Sequence, residues 1–555
     1  MKTVLLAAIN ARYTHSCLAL YCLKSYAAGT GSSISVREYS INRDPGEILA
    51  DMAAVRPDII GLSVYIWNSG LIRRILPLVK ERCGNNLLLL GGPEVSYNPE
   101  SWIEDFPCID CIIAGPGEAG FRSFLENGTA DGEKILRFPN PIFGGMPFPY
   151  SDEDLTALAD RYVYYESSRG CPYRCAYCLS SRSDQRFQAK SMETVKNELG
   201  LILRHRPKLV KFVDRTFNMP GDRHREIWSY LIDRFAEGPT VFHFEIHPSN
   251  LDEEDFAILA RTPSGLFQFE AGVQSVNPEV RTASGRSGEW KKEKTALARL
   301  ISLGTIRMHL DLIAGLPFEG MASASRSFNE VYALSPGHFQ LGILKVLPGT
   351  EMRDRADEYG MIFAADAPYQ VRETRWLPGN ELQIIEKIAA VVDRLYNTGR
   401  FPLALARLAA RFDSPFDLYR AFASERILPT RSWESGASFL LGFTTDRFPE
   451  DRGYVLDALG WDWCAHSRSH RYPDILKPEQ ASGIKKKGYA FFRGFGEDGT
   501  VRYGKEEFAL SDLKRAIFYK SETEEFRKTH MGGSSCALFL HDGRIVMYDL
   551  TPPPA

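Results

Sequence analysis

Three closely spaced cysteines have the most restrictive chemistry in this chain. They are Cys171, Cys175 and Cys178, within the segment Arg169-Gly-Cys-Pro-Tyr-Arg-Cys-Ala-Tyr-Cys. Thiolates separated by three and then two residues can ligate three irons of a [4Fe–4S] cluster and leave the fourth iron open. A structural zinc site is the alternative, but it needs four ligands, usually in paired spacing, and no second Cys-x-x-Cys follows. The spacing therefore predicts an iron–sulfur cluster.

The same segment, with Tyr177 before its third cysteine, resembles the CxxxCxxC signature of the radical S-adenosylmethionine enzymes. The resemblance implies that the open iron binds the amino and carboxylate groups of S-adenosyl-L-methionine. It also implies that the reduced cluster cleaves this cofactor to methionine and a 5′-deoxyadenosyl radical. Such a cleavage needs an electron, so we expect a reductant protein, such as a flavodoxin or a ferredoxin, as a partner.

Alternating strands and helices surround the cysteine loop and would have to position it. Between residues 161 and 365, apolar runs predict six strands separated by amphipathic segments. Six βα units favour a partial (β/α)6 barrel with the active site at the carboxyl ends of its strands. The predicted strands are Tyr162–Glu166, Leu209–Asp214, Val241–Ile246, Leu266–Val273, Met308–Ile313 and Phe339–Val346.

The ends of these strands carry polar residues and glycines that resemble cofactor-binding segments of the same family. Asp214 resembles the segment that contacts the methionyl amine, although Arg215 stands where a second acid is common. Glu270 and the run Gly272-Val-Gln274-Ser275 resemble the segment at the ribose and sulfonium end. Gly315-Leu-Pro resembles the turn near the adenine, and Leu347-Pro-Gly-Thr closes strand six in the same way. A catalytic base stays unassigned among Tyr173, Glu245 and His247.

Residues 1–128 have the alternating pattern of a doubly wound, Rossmann-like α/β domain. Small residues follow each buried strand, at the edge where parallel sheets bind ligands, and glycine permits a close approach. The series resembles the cobalamin-binding domain of many radical enzymes, and the resemblance implies that the corrin and its nucleotide tail pack on these loops. The residues that carry it are Ser63, Gly91, Gly92, Gly115, Gly117 and Glu118.

The Asp-x-His-x-x-Gly motif that supplies a cobalt-ligating histidine in other cobalamin proteins is missing here. His15 is the only histidine before residue 160, and we expect a polar loop role for it. The resemblance therefore implies cobalamin bound without histidine. The lower face of cobalt would meet the loop Tyr65-Ile66-Trp67-Asn68, although these aromatic residues could equally belong to the core.

The predicted domains are residues 1–128, a linker at 129–160, a radical core at 161–365 and an extension at 366–555. The extension has helical patterns that change to strand alternation near turn signals at Gly496–Gly499 and Asp542-Gly543. It is predicted to be mostly helical with a β-hairpin tail. Asn397-Thr-Gly-Arg-Phe401 resembles a segment in an uncharacterised extension of some cobalamin-dependent radical proteins.

Composition limits the class of partner. The chain has 555 residues, 25% of them charged, and a net charge of −3. It therefore has no excess of basic residues of the kind that favours nucleic-acid binding. No apolar run reaches the roughly 20 residues that cross a bilayer, so no membrane is expected. The ten cysteines form no disulfide framework, which favours the cytoplasm.

These observations favour radical methylation of an unactivated carbon in a small-molecule substrate, with methylation the commonest chemistry of the resembled group. Radical cyclisation or ring rearrangement without methylation is the alternative. Methylthio transfer would need a second cluster from N-terminal cysteines, and their positions match no such pattern. A cofactor-bound sensor remains a further alternative. The sequence carries no signature of the substrate.

Overall fold

A computed structural model describes residues 1–129, 132–181, 187–286, 288–425, 432–467, 469, 471–476 and 483–550. Two compact units divide the chain. The first contains Met1–Pro336 and Leu341–Leu382, and the second contains Gly337–Gln340 and the chain from Gln383 onward. None of the helices within the described residues combines the length and apolarity that a bilayer crossing requires.

The N-terminal part of the first unit is a six-stranded parallel sheet with helices between its strands, which confirms the predicted doubly wound domain. Strands β3 and β5 are buried along their whole length, as expected for a sheet covered on both faces. The strand order is β2-β1-β3-β4-β5-β6. The elements are β1 (Thr3–Asn10), α1 (Leu18–Tyr26), β2 (Ser33–Ser40), α2 (Pro45–Ala54), β3 (Ile59–Ser63), α3 (Ser69–Cys83), β4 (Leu87–Gly91), α4 (Pro93–Ser96), α5 (Pro99–Asp105), β5 (Cys111–Ala114), α6 (Gly117–Asn127) and β6 (Ile135–Arg137).

Two strands of this sheet were not predicted. The edge strand β2 is half-exposed and lacks a continuous apolar run, so its sequence has no strong strand signal. The three-residue strand β6 lies within the segment predicted as a linker and pairs in parallel with β5. Both strands depend on pairing with a neighbour that is distant in sequence, which a local pattern does not record.

A second six-stranded sheet in the order β14-β13-β12-β11-β10-β7 confirms the six strands of the predicted partial barrel. Alternate residues of β12 and β13 are buried and half-buried, so one face of each strand packs under helices and the other faces inward. Its elements are α7 (Asp152–Ala157), β7 (Val163–Tyr165), β8 (Ser168–Arg169), β9 (Gln188–Ala189), α8 (Met192–Arg204), β10 (Leu209–Phe212), α9 (Arg223–Phe235), β11 (Val241–Glu245), α10 (Glu253–Leu259), β12 (Phe267–Gln274), α11 (Pro278–Ala283), α12 (Trp290–Ser302), β13 (Arg307–Ala314), α13 (Met321–Tyr332), β14 (His338–Ile343) and α14 (Glu351–Asp354).

A short antiparallel pair, β15 (Ile362–Phe363) and β16 (Val371–Glu373), follows α14. Residues 366–373 belong to the first unit. Within this segment the Tyr369 hydroxyl donates a hydrogen bond to the Glu94 carboxylate, next to the Gly91-Gly92 loop. A Cβ placed on Gly315 would lie 2.6 Å from the Val371 side chain, so a larger residue at position 315 would clash with it. The segment therefore supports loops of both sheets.

The second unit is mostly helical, as predicted, and its tail forms two three-stranded antiparallel sheets instead of one hairpin. Asn397, from the segment that resembled other extensions, exchanges two hydrogen bonds of 2.8 Å with the backbone of Phe339. The elements from residue 379 onward are α15 (Gly379–Arg394), α16 (Pro402–Ala409), α17 (Pro415–Ser424), α18 (Trp433–Arg447), α19 (Arg452–His466), α20 (Ile484–Arg493), β17 (Gly496–Glu497), β18 (Thr500–Tyr503), β19 (Glu506–Ala509), β20 (Ile517–Lys520), α21 (Glu524–His530), β21 (Cys536–Phe539) and β22 (Ile545–Tyr548).

Candidate functional site

The predicted cluster cysteines lie in one loop between β8 and β9. Cys171, Cys175 and Cys178 are all partly exposed, and Cys171 Sγ lies 3.5 Å from Thr216 Oγ1 at the end of β10. Burial raises the pKa of the Cys175 thiol, while the nearby charge of Arg286 opposes that rise. Three accessible sulfurs beside a fixed cation fit the donor set of an iron–sulfur cluster.

Neighbouring loops hold the cysteine loop through its backbone. The Ala176 amide donates to the Ser284 carbonyl over 2.9 Å, and the Met352 amide donates to the Ala176 carbonyl over 2.8 Å. Gly285 has a φ of +64°, and a Cβ at this position would lie 2.2 Å from the Arg174 carbonyl oxygen. Glycine is therefore needed for this close approach. Sequence reasoning missed these supports because they are backbone contacts from distant loops.

Asp214 supports the start of the cysteine loop with its side chain. The Asp214 carboxylate is buried and accepts hydrogen bonds from the Ser167 amide over 3.0 Å, the Ser167 hydroxyl over 2.6 Å and the Ser168 hydroxyl over 2.5 Å. Burial raises the pKa of Asp214, and these three donors stabilise its charged form. Its carboxylate is thus engaged by the protein, which leaves the backbone of this segment for contact with a cofactor.

Glu270 belongs to a charged network on the inward faces of four strands. Its Oε2 lies 3.5 Å from Lys211 Nζ, 3.1 Å from His243 Nε2 and 3.8 Å from His309 Nδ1. His309 Nε2 lies in turn 2.9 Å from Asp311 Oδ1. Burial alone would raise the pKa of Glu270, but the His243 hydrogen bond and the Lys211 charge hold it at about 2.

The same network raises the question of a metal ion. Ligand atoms of Glu270, His309 and Asp311 lie within 4.8 Å of one another. The Lys211 ammonium already supplies a cation to Glu270, and a divalent ion at that carboxylate would be repelled by it. The positive and negative charges of this network therefore balance one another. Such a polar lining of the barrel suits a polar organic ligand.

Gln274 Oε1 and Arg286 Nε are among the buried polar atoms near the cysteine loop that lack a hydrogen-bond partner within the described residues. Gln274 has a φ of +66°, and its amide folds over Gly272, where a Cβ would lie 2.1 Å from Gln274 Nε2. The Arg286 guanidinium also donates to the Gly272 carbonyl. Because unpaired buried polar atoms are costly, these two groups fit a polar cofactor such as S-adenosyl-L-methionine. Arg286 was not identified from the sequence.

Ser275 and Gly315 serve the internal packing of this edge. The Ser275 hydroxyl donates to Glu319 Oε1 over 2.9 Å, and burial raises the pKa of Glu319 to about 8. Gly315 has a φ of +89° and is packed against Val371. Both residues thus join the turn after β13 to the elements around it.

The glycines at the edge of the N-terminal sheet differ in what surrounds them. A Cβ at Gly92 would lie 2.5 Å from the Val64 carbonyl oxygen, and one at Gly117 would lie 3.0 Å from Leu23. Gly115 has a φ of +91°, and a Cβ there would meet no protein atom within 4 Å. Gly115 therefore borders open space at the carboxyl edge of the sheet, which fits the approach of a flat cofactor. Gly91 has only an ordinary contact, 3.8 Å from Ile113 O.

Two other predicted cobalamin-binding residues have protein partners. Ser63 is buried, and its hydroxyl lies 3.9 Å from Cys17 Sγ. The Glu118 carboxylate forms an ion pair of 2.9 Å with Arg169, two residues before Cys171. The structure thus joins the Gly115–Glu118 loop directly to the cysteine loop, a connection that the sequence does not reveal.

His15 faces the barrel. Its Nδ1 lies 2.5 Å from the Tyr164 hydroxyl of β7, and burial lowers the pKa of His15. In the loop after β3, Asn68 is buried and bonds to the backbone, whereas Trp67 is 45% exposed and stacks on Tyr65 with ring centres 4.3 Å apart. The loop therefore contains the core residue Asn68, the half-buried Tyr65 and the exposed Trp67.

The three unassigned candidate bases lie on the same side of the barrel. The Tyr173 ring stacks on His247 with centres 4.5 Å apart, and its hydroxyl donates to Asn250 over 2.8 Å. Burial, with the charges of Arg286 and Arg281, lowers the pKa of His247 to about 3, so this imidazole is neutral near pH 7. Burial raises the pKa of Glu245. None of these contacts selects one of them as a base.

Comparisons with known proteins divide the chain in the same way. Residues 4–125 match the B12 binding domain, residues 165–330 match the radical SAM superfamily and residues 357–522 match a protein family of unknown function, DUF4080. Similar proteins include the cobalamin-dependent radical SAM methyltransferase TokK of Streptomyces tokunonensis, 26% identical over 57% of this chain and 51% of the relative. Another is the 2-(S-pantetheinyl)-carbapenam-3-carboxylate methyltransferase of Streptantibioticus cattleyicolor, 26% identical over 55% of this chain and 47% of that protein.

Solved structures show the same fold. OxsB, a cobalamin-dependent S-adenosylmethionine radical enzyme solved with aqua-cobalamin and S-adenosylmethionine, aligns with a TM-score of 0.58 and 16% identity over 83% of this chain and 79% of OxsB. TsrM of Kitasatospora setae aligns with a TM-score of 0.52 and 18% identity over 66% of this chain and 76% of TsrM. The chain spans about half the length of the curated relatives it matches. The chain thus combines a B12 binding domain with a radical SAM domain, and its relatives include proteins named as cobalamin-dependent radical S-adenosylmethionine enzymes.

Proposed function

We propose that this protein methylates an unactivated carbon of a small-molecule substrate. The observation that carries the proposal is the direct connection of the cysteine loop to the Gly115–Glu118 loop through Arg169. Two cofactors must act on one carbon for this reaction, so their sites have to be adjacent and fixed. Similarity to two proteins named as methyltransferases supports methylation as the outcome.

The residues present fit the cofactors that the two domains imply. Cys171, Cys175 and Cys178 would hold a [4Fe–4S] cluster, and Gln274 and Arg286 would offer polar atoms to S-adenosyl-L-methionine. When bound, the cluster and S-adenosyl-L-methionine supply a radical that removes a substrate hydrogen, and cobalamin supplies the methyl group. The predicted assignments of Asp214, Glu270, Ser275 and Gly315 to S-adenosyl-L-methionine remain part of this proposal.

The cobalamin site of the proposal is the carboxyl edge of the N-terminal sheet. Its predicted residues are Ser63, Gly91, Gly92, Gly115, Gly117 and Glu118, and the open space beside Gly115 supports their assignment. We place His15 outside the cobalt coordination because its Nδ1 bonds to Tyr164. The protein's own part is to hold both cofactor loops, orient the substrate between them and exclude water.

The proposal includes a reductant protein, such as a flavodoxin or ferredoxin, and a cytoplasmic location. Both follow from the need to deliver an electron to an oxygen-sensitive cluster. The cysteine spacing in the sequence, which has no disulfide framework, favours a reducing compartment. Predicted domain boundaries at residues 128, 160 and 365 likewise stay part of the proposal.

Label transfer tests the proposed reaction and identifies the substrate in the same experiment. Anaerobically reconstituted protein would be incubated with methyl-deuterated S-adenosyl-L-methionine and a metabolite extract from cells that lack the protein. We expect one small molecule to gain a labelled methyl group in mass spectrometry. A product that has lost hydrogens and carries no label would instead establish cyclisation and refute methylation.

A further inference from the structure

Arg169 contacts both cofactor loops at once. Its Nη2 lies 2.9 Å from Glu118 Oε1 and 2.8 Å from Glu166 Oε2, while its Nε lies 3.1 Å from Glu166 Oε1. The guanidinium thus bonds to both carboxylate oxygens of Glu166 in the barrel. One of the same nitrogens also bonds to Glu118 of α6 in the N-terminal domain. This fork geometry is specific to arginine, because a lysine ammonium cannot make parallel bonds to one carboxylate.

The partners of Arg169 stand next to the residues that would bind cofactors. Arg169 lies in β8, two residues before Cys171, and Glu166 follows β7. Glu118 is the second residue of α6, directly after the Gly115-Pro-Gly117 turn. A displacement of the cysteine loop therefore moves Arg169, and a displacement of Arg169 disturbs the first turn of α6.

The contact is too shielded from solvent to be a weak surface ion pair. The side chains of Arg169, Glu118 and Glu166 are 24%, 8% and 19% exposed. Breaking a shielded pair by removing one partner leaves the other charge without compensation, which is strongly unfavourable. Phe143 further confines the guanidinium, whose carbon lies 5.0 Å from the ring centre. The guanidinium therefore lies between two carboxylates and an aromatic ring.

We propose that Arg169 is a positioning residue that couples cobalamin binding to the order of the cluster loop. A cluster bound to the three cysteines fixes the backbone around Arg169, and Arg169 then fixes Glu118 and the turn before it. Cobalamin binds this ordered turn with less loss of conformational entropy, and so binds more tightly. Linkage makes the effect reciprocal, since cobalamin must strengthen cluster retention by the same factor.

The measured quantity is the ratio of two cobalamin dissociation constants for the full-length protein, one with the cluster and one without. Titration with hydroxocobalamin, followed by its absorbance, gives both constants. We expect the wild-type protein to bind cobalamin about tenfold more tightly when the cluster is present. In Arg169→Gln the ratio should fall close to one, and Arg169→Lys should restore only part of it because it lacks the fork.

Two further variants separate coupling from a general loss of structure. The double variant Arg169→Gln with Glu118→Gln removes both charges of the pair that joins the two loops, so that Glu118 is not left as an unpaired shielded carboxylate, and its ratio should also be close to one. Arg161→Gln is the matched control. Arg161 pairs with Glu38 over 2.8 Å and is similarly shielded, and it joins the same two sheets without touching either cofactor loop. Its ratio should equal that of the wild type.

The proposal uses the cofactor sites of the proposed function but does not depend on methyl transfer. A wild-type ratio of one would overturn the coupling, and so would an unchanged ratio in the double variant. A reduced ratio in Arg161→Gln equal to that of Arg169→Gln would also overturn it, because any interdomain contact would then suffice. Each of these results would leave the label-transfer test of methylation unaffected.

Discussion

At the scale of the residue, accessibility distinguishes the three cluster cysteines from most of the others. Cys17, Cys22, Cys111, Cys464 and Cys536 are buried, and burial raises the pKa of the Cys111 thiol to about 12. A cysteine packed inside the core is inert and is poorly placed to join an iron–sulfur cluster. Methylthio transfer would require a second set of cluster ligands from the N-terminal cysteines, and the burial of three of them argues against it.

Replacing Cys171, Cys175 and Cys178 together with alanine should abolish the cluster absorbance of the reconstituted protein and its cleavage of S-adenosyl-L-methionine. The reason is that no other group of accessible thiols lies in the same loop. Iron and sulfide content, with absorbance near the charge-transfer band, would measure the loss. Cys83→Ala, at a partly exposed cysteine of α3, serves as the control and should retain the full cluster. Four irons in the triple variant would contradict the assignment.

Gly115→Ala should weaken cobalamin binding by about tenfold or more, because its Cβ would enter the open space where the cofactor is proposed to lie. The positive φ adds a backbone strain of about 1 kcal/mol. Hydroxocobalamin titration measures the first effect and chemical denaturation the second.

Gly128→Ala is the matched control for this backbone strain. Gly128 has a φ of +72°, no protein atom lies within 4 Å of a Cβ placed there, and it stands at the opposite end of α6. It should lose similar stability but keep its cobalamin affinity. Equal affinities of the two variants would argue against Gly115 as part of the site.

At the scale of the element, residues at the strand ends have two different roles. Gln274 and Arg286 are proposed to offer atoms to a ligand, while other residues hold neighbouring turns together. Ser275 after β12 and Glu319 after β13 form such an internal link, 2.9 Å long and buried. Motif position alone does not separate the two kinds, because both occur at the same edge and both favour small or polar residues.

The burial of Glu319 should make stability depend on pH. Burial raises the pKa of Glu319 from 4.5 to about 8, so the folded protein binds a proton that the unfolded chain has released. Stability from this group is therefore present below pH 4.5 and is lost progressively as the pH rises to about 8. Denaturation at several pH values should show that Glu319→Gln loses less stability than the wild type over this range. Parallel pH profiles of the two proteins would refute the assignment.

At the scale of the whole molecule, the first unit continues past the last barrel strand. The Val346 amide donates to the Tyr369 carbonyl and the Val371 amide donates to the Leu344 carbonyl, both over 2.9 Å. Tyr369 also reaches Glu94 of the N-terminal sheet. These contacts join residues beyond the proposed domain boundary at residue 365 to the two sheets, and the first unit ends at Leu382.

A chain ending at residue 382 should therefore unfold at a higher temperature than one ending at residue 365. The shorter chain loses Tyr369 and Val371, which leaves Glu94 with one hydrogen-bond donor fewer and uncovers Gly315. Both truncations lack the chain from residue 383 onward, so the comparison between them isolates residues 366–382. Thermal denaturation with the cluster bound measures the difference. Equal midpoints would show that this segment adds nothing to the first unit.

Local patterns in the sequence were sufficient for the six barrel strands and for the parallel N-terminal strands that are buried, and they also led to the proposed cluster cysteines. Each of these is encoded by a spacing or by a continuous apolar run, and both are properties of adjacent residues. Strands β2 and β6 were not predicted, because short or half-exposed strands are stabilised by pairing with a strand that lies elsewhere in the chain.

Only the tertiary structure decided which predicted site residues are engaged by the protein itself. Asp214 binds Ser167 and Ser168, Glu118 binds Arg169, and Gly315 packs against Val371, whereas Gly115 borders open space. Arg286 became a candidate only when its position beside Cys175 was known. The physical reason is that a charge or a missing Cβ acts on whatever lies within a few ångströms of it, and these neighbours come from loops far apart in the sequence.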